Sequence, residues 1–310
     1  MLGAATAAAP APDRDLARLQ QRDGQLFAVG WRLARGNAAL CADAAPQLGL
    51  LLHDAGAYDD PAKVRAELGL KGDIAVEAVA MGSPAAASGL ARDDTLVSLD
   101  GTDVAAAFPP QQPRWKRLVA VDAALAAVAA KGPVTLGWVT PAGARQQAVL
   151  DPVPACPTRF EVLSHGSKAE ADGTRVILGE DFPAFTYPED EFAAAVAHEL
   201  AHNLLGHRKL LDRLGRNMTR VRLTEREADR LAPWLLANAG YDPEAMVRFM
   251  RHWGPANDGG LLRKRDHDGW DERAAMIATE VGKVRAAIAQ TGKADWPQDF
   301  IREDVANGKI

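Results

Sequence analysis

TYPEDEFAAAVAHELAHNLLG, residues 186–206, is the stretch on which both fold and chemistry turn. Thr186 and Glu189 have capping-box spacing and Pro188 suits a first helical turn, so a helix is expected from there to Leu205, stopped by Gly206. His198 and His202 are four residues apart, one turn along a single face, where both imidazoles can reach one metal ion. Glu199 is rotated by about 100° from His198, close enough to activate a water without being a ligand. The same letters could fall by accident on a solvated helix. Here Phe192 to Val196, Leu200, Leu204 and Leu205 make the helix largely buried, where unpaired His and Glu are costly.

A catalytic zinc site takes three protein ligands and keeps one position open for water. The metzincin arrangement needs a glycine three residues and a histidine six residues beyond His202, but those positions hold Leu205 and Arg208. His207, five residues beyond His202, points off the ligand face and is assigned to packing at the helix end. The other solution is a glutamate from a second helix, and TEREAD, residues 224–229, offers one. Thr224 and Glu227 again have capping-box spacing, and an apolar pattern through Leu231, Trp234, Leu235 and Leu236 continues to Gly240, with Pro233 loosening the early helix. Glu225 and Asp229 share a face, so one can bind metal while the other hydrogen-bonds a ligating histidine. An acidic, solvated first turn would look the same.

H-E-x-x-H at 198–202, E-x-x-A-D at 225–229 and Gly240-Tyr241-Asp242-Pro243 together resemble the gluzincin metallopeptidase family of the CAAX prenyl endopeptidase, HtpX and BepA. The resemblance implies Zn2+ held by His198, His202 and Glu225, Asp229 behind the ligands, and Glu199 as general base. KAEADGTRVILGED (168–181) is similar to the family's edge-strand region, with Lys168-Ala-Glu170 where Asn-Ala-aromatic is usual. An extended substrate is therefore expected beside Arg175, Val176, Ile177 and Leu178. His267 and Arg273 stand six apart as in the family's His-Pro…Glu-Arg segment, with Asp268 in place of the proline. By resemblance, His267 or Arg273 stabilises the oxyanion; a surface loop capped by an arginine salt bridge is the alternative.

Residues 71–152 have a different character. Ile74 to Val79 alternates like a strand, Gly82-Ser83-Pro84 opens a short alanine helix, Thr95 to Leu99 is a second strand, and a helix around Leu118 to Ala130 precedes the pair Val134 to Val139 and Arg145 to Leu150. GSPAAASGLARDDTLVSLDG (82–101) in this order resembles a bacterial PDZ domain. Leu68-Gly69-Leu70 is the candidate for such a domain's peptide-binding loop, although only three residues separate it from the Ile74 strand.

The expected fold class is α+β: a mainly helical, zincin-like peptidase domain with a small edge-strand sheet, carrying an inserted PDZ-like domain. Its parts are a disordered Ala/Pro-rich leader remnant at 1–12, N-terminal helices at 13–70 belonging to the peptidase, the PDZ-like insertion at 71–152, and the zinc metallopeptidase domain at 153–310. VGWRLARGNAALC (29–41) is similar to the stretch before the family's first strand, which is why 71–152 reads as an insertion. Cys41 and Cys156 flank it; a disulfide would staple its ends, and two buried thiols in a cytosolic protein would look the same. A net charge of −5 without a basic block gives no reason to expect nucleic acid, and Leu118 to Ala130 is too short and too polar at Asp122 to span a bilayer. The expected partner is a polypeptide substrate and the expected location is exported, periplasmic, with a cytoplasmic one as the alternative. A latent or idle site, with the PDZ-like part as a binding or chaperone-like module, is the rival function.

Overall fold

A computed structural model describes residues 14–257 and 268–308. In chain order the elements are α1 (Arg14–Gly36), β1 (Ala45–Gln47), β2 (Leu50–Asp54), α2 (Pro61–Leu68), β3 (Ile74–Val79), α3 (Pro84–Ala87), β4 (Thr95–Leu99), β5 (Thr102–Asp103), α4 (Val104–Ala107) and α5 (Lys116–Ala129). There follow β6 (Val134–Val139), β7 (Arg145–Leu150), β8 (Val153–Ala155), β9 (Arg159–Leu163), β10 (Ala169–Ala171), β11 (Arg175–Gly179), α6 (Glu189–Leu204), α7 (His207–Leu214), α8 (Met218–Asn238), α9 (Ala245–Asn257), α10 (Trp270–Thr291) and α11 (Trp296–Asp299). The class is α+β. The chain divides into a sheet unit, the residues up to Gly24 with Pro46–Val153, and a helical unit, Gln25–Ala45 with the residues from Pro154.

The helical unit is thus interrupted in sequence by residues 46–153. The boundary is not where the sequence puts it: of residues 13–70, expected with the peptidase, only Gln25–Ala45 lie in the helical unit, while the start of α1 up to Gly24 and residues 46–70 belong to the sheet unit, where Leu50–Asp54 pairs with Ile74–Val79 as its outermost strand. Cys41 and Cys156 form a disulfide, both within the helical unit, with Cα atoms 5.7 Å apart. It joins the two points between which the chain leaves for the sheet unit. The 1–12 leader lies outside the described residues.

In the helical unit α6 packs on α8 and α9, and α10 on α8 and α9. The apolar side of α6 is complete: Phe192, Ala193, Ala194, Val196, Ala197, Leu200 and Ala201 are all fully buried, as are Leu231 and Leu235 of α8, on which it packs. Neither expected capping box forms. Pro188 is the N-cap of α6 while Thr186 donates its hydroxyl to the Pro183 carbonyl, and α8 starts seven residues earlier than expected, at Met218 with Asn217 as its N-cap. There Asn217 accepts from the Arg220 amide, so Thr224 sits inside the helix and bonds to the Val221 carbonyl. Glu225, Glu227 and Asp229 consequently stand in mid-helix, not in a solvated first turn.

The sheet unit is built on the strand order β2-β3-β4-β6-β7, all antiparallel, with β5 paired to β4. Leu52, Ile74, Val76, Val121, Leu136 and Trp138 form its core. Beside that core lies a buried polar pair: His53 Nδ1 is 3.5 Å from Glu77 Oε2, and Gln20 on α1 reaches Glu77 at 3.5 Å and Asp93 at 3.1 Å. Burial pushes the Glu77 carboxyl up to about 8, helped by Asp23 and Asp93 against Gln20 and Arg92, and pulls His53 down to about 4. Both groups are therefore neutral in the fold.

The two shifts set a stability window. Glu77 takes up a proton on folding between its unfolded value near 4.5 and about 8, so it costs stability as pH rises through that range; His53 releases one between about 4 and 6.5, so it costs stability as pH falls through that range. The slopes cancel between roughly pH 4.5 and 6.5, and stability falls from there to about pH 8. Glu77→Gln is expected to raise the melting temperature at pH 8, by about 4 °C per kcal/mol recovered, and to leave it nearly unchanged at about pH 4, below the unfolded carboxyl value. Calorimetry at the two pH values checks this.

Candidate metal centre

The spacing of His198 and His202 on α6 brings their Nε2 atoms to 3.2 Å from each other. From α8, Glu225 places Oε2 at 3.4 Å from His198 Nε2 and Oε1 at 3.5 Å from His202 Nε2. Donors about 2.05 Å from a tetrahedral centre are separated by roughly 3.3 Å, and each of these three contacts, one to each carboxylate oxygen and one between the rings, is close to that length. Among the described residues this is the group of His, Cys, Asp and Glu with metal-binding spacing.

The outer nitrogen of each ring shows which way its lone pair points. His198 Nδ1 lies 3.1 Å from Asp229 Oδ1, and Asp229, fully buried, receives Arg273 Nε at 2.6 Å and Nη2 at 2.7 Å. His202 Nδ1 lies 2.8 Å from His207 Nδ1, and His207 Nε2 lies 2.9 Å from Glu227 Oε2. A carboxylate accepts, so in the neutral rings His207 carries its proton on Nε2 and accepts on Nδ1, His202 carries its own on Nδ1, and His198 does the same toward Asp229. Both Nε2 lone pairs then converge with the Glu225 carboxylate. Such a set fits a cation with nitrogen and oxygen preference.

The electrostatics agree. Burial pulls His198 down, but Asp229 and Glu225 outweigh it and raise it to about 10, whereas burial lowers His202 to about 3. One ring seeks positive charge and its neighbour cannot take a proton. Glu199 is half-buried, and burial, with Glu225 and Glu170 adding and His198 opposing, raises its carboxyl to about 7. Among the described residues no hydrogen-bond donor engages that carboxylate.

A cleft of about 630 Å³ opens on this group. Its rim includes Ser167 to Ala171, and here the expected substrate strand is corrected. β11, which holds Arg175 to Leu178, is the central strand, paired with β10 on one side and β9 on the other, so it has no free edge. The edge strand is β10. Gly179 donates to the Lys168 carbonyl and Asp172 to that of Arg175, so residues 168, 170 and 172 bond inward and Ala169 and Ala171 turn their N–H and C=O outward. The cleft has two unlike ends. Phe182, Phe249 and Trp253 line one, at the start of α6, where Tyr187 stacks on His252 and His252 bonds Glu191; Arg208, Leu211 and Arg216 line the other, beyond His202.

Arg273 reaches the cleft wall, but its Nε and Nη2 are committed to Asp229, which makes it a support of His198. His267 lies outside the described residues. His207, read from sequence as helix-end packing, is instead joined to a ligand. The left-handed Gly206, φ 66°, starts α7 on a new course and turns His207 back toward His202, a signal present in the sequence as Gly206 itself.

In the sheet unit, Leu68-Gly69-Leu70 is the end of α2: Gly69 is its left-handed cap and Leu70 is buried core. The apolar-glycine-apolar loop that leads into an edge strand lies twenty residues earlier, at Leu48-Gly49-Leu50, with Gly49 at φ 69°. It enters β2, and α5 packs beside that strand.

Removal of one charge from the buried Asp229–Arg273 pair is expected to cost about 3–5 kcal/mol. Asp229→Asn should lower the urea midpoint of the metal-free protein accordingly, while Asp212→Asn, an exposed partner of Arg208, should leave it within about 0.5 kcal/mol. No family model, curated protein or solved structure matches the chain.

Proposed function

We propose that the helical unit is a zinc-dependent endopeptidase of the gluzincin type. The observation that carries the reading is the open-cornered set of His198, His202 and Glu225 beside a carboxylate, Glu199, that no described donor engages. A structural metal site is closed by four protein ligands and has no use for an adjacent free carboxylate.

When bound, zinc supplies Lewis acidity toward a water and a peptide carbonyl. Glu199 takes the proton of the attacking water and returns it to the leaving amine; its raised affinity for protons suits both halves of that transfer. Ala169 and Ala171 hold the substrate backbone as an added strand, which fixes register without demanding a sequence. Antiparallel addition, the more stable mode, runs the chain from the arginine end of the cleft to the aromatic end, so a large apolar residue is favoured just after the scissile bond. Unfolded or misassembled polypeptides, whose backbone is accessible as an extended strand, are the substrate class. The disulfide favours an exported, oxidising compartment. No described helix is long and apolar enough to cross a membrane.

A second reading concerns the sheet unit: a PDZ-like module that captures a peptide end between β2 and α5 at Leu48-Gly49-Leu50, with the zinc site idle or latent. The free edge of β2 beside α5 favours it. Casein hydrolysis by the zinc-loaded protein separates the two. Glu199→Gln should lower the rate by about 10³-fold or more while zinc content stays at one per chain, and Glu225→Ala should lose both. Full zinc occupancy with no hydrolysis by the unaltered protein would move the function to the binding module.

A further inference from the structure

His202 is backed by a chain of groups that ends far away in sequence. Behind His207 and Glu227 stands Arg302, whose Nε bonds Glu227 Oε1 and whose Nη2 bonds Oε2 at 3.1 Å, and the Glu303 amide donates to the same Oε1 at 2.8 Å. His207 is 2% exposed and Glu227 fully buried. The segment that delivers Arg302 is itself fastened: Arg230 bonds Glu303 at 2.6 Å and the Ile301 carbonyl at 2.9 Å, and Phe300 and Val305 are buried on either side.

We propose that His207, Glu227 and Arg302 act as one positioning chain for the metal ligand His202, so that the segment 301–303 is a working part of the metal centre. The inference rests on the metal reading of His198, His202 and Glu225. Its geometry repeats that of the other ligand: each ring is backed by a carboxylate held by an arginine, Asp229 with Arg273 behind His198, Glu227 with Arg302 behind His202. On the His202 side an extra imidazole spans the gap. The Nδ1 atoms of His202 and His207 are 2.8 Å apart with the ring centroids at 4.8 Å and the planes twisted by 76°, a spacing at which the N–H of one meets the in-plane lone pair of the other. Every proton in the chain then points away from the metal site, toward the arginine-held carboxylate. That fixes both the tautomer and the orientation of His202. If His207 were there only to fill space, an apolar ring would serve as well and would bury no polar atoms.

The test is zinc affinity by chelator competition and the visible spectrum of the Co2+-substituted protein, with melting of the metal-free form as control. His207→Phe should weaken zinc by about 10–100-fold and alter the cobalt bands; His207→Gln, whose amide can accept from His202 and donate to Glu227, should recover affinity to within about threefold of the original. Arg302→Ala, at a half-exposed position, should weaken zinc by about tenfold. Affinity within twofold and unchanged cobalt bands in both His207→Phe and Arg302→Ala overturn the proposal, as does a loss equal in the Phe and Gln variants. If His207→Phe does not fold, Arg302→Ala alone decides. A wild-type protein that takes up no zinc overturns the metal reading and this inference with it; wild-type binding with unaltered variants overturns only this one.

Discussion

Two buried imidazoles aim their lone pairs at one point because each has its other nitrogen tied to something that can only accept. On His198 that is a carboxylate clamped by Arg273, and on His202 it is a second imidazole whose own proton goes to a carboxylate clamped by Arg302. The demand is directional as well as electrostatic, and it explains the packing around it. α8 must start early enough to bring Glu225 and Asp229 onto one face, α10 must supply Arg273, and the segment after α11 must return to Glu227. Three stretches distant in sequence are held together for one pair of rings.

The convergence of His198 and His202 was legible because four residues on a helix is a local rule that tertiary context does not alter. Glu225 and Asp229 were legible through resemblance, although their helix begins elsewhere: Asn217 caps it before Thr224 can. What failed was non-local. His207 was judged on the helical wheel of α6, but Gly206 ends that wheel, and the ring belongs to the next helix. Arg302 leaves no sequence signal, being 75 residues from the carboxylate it holds. The edge strand was missed because β10, Ala-Glu-Ala, is too short for its alternation to stand out, whereas Val176 to Leu178 is apolar for the reason that makes it unavailable: it lies between two neighbouring strands. In the sheet unit the pattern gave the longer elements from Ile74 onward in order but not the short β5 and α4, and it missed β2, whose continuous Leu50-Leu51-Leu52 run carries no period-two signature.

The two units answer different constraints. The sheet unit keeps a neutral buried His53–Glu77 pair against its own sheet and first helical turns, a device that limits its stability window. The helical unit is closed by a covalent bond at the points where the inserted residues leave and return, so its N-terminal segment stays attached to the body that carries the site whatever the inserted residues do. Such an arrangement lets a second unit be inserted in the chain without interrupting the packing of α6 on α8.

X-ray absorption at the zinc edge of the purified protein tests the central claim most directly. The account predicts one zinc per chain with two imidazole nitrogens and oxygen donors at about 2.0–2.1 Å and four-coordinate geometry. Sulfur scattering at about 2.3 Å, a closed shell with a third imidazole, or no zinc edge at all would contradict it.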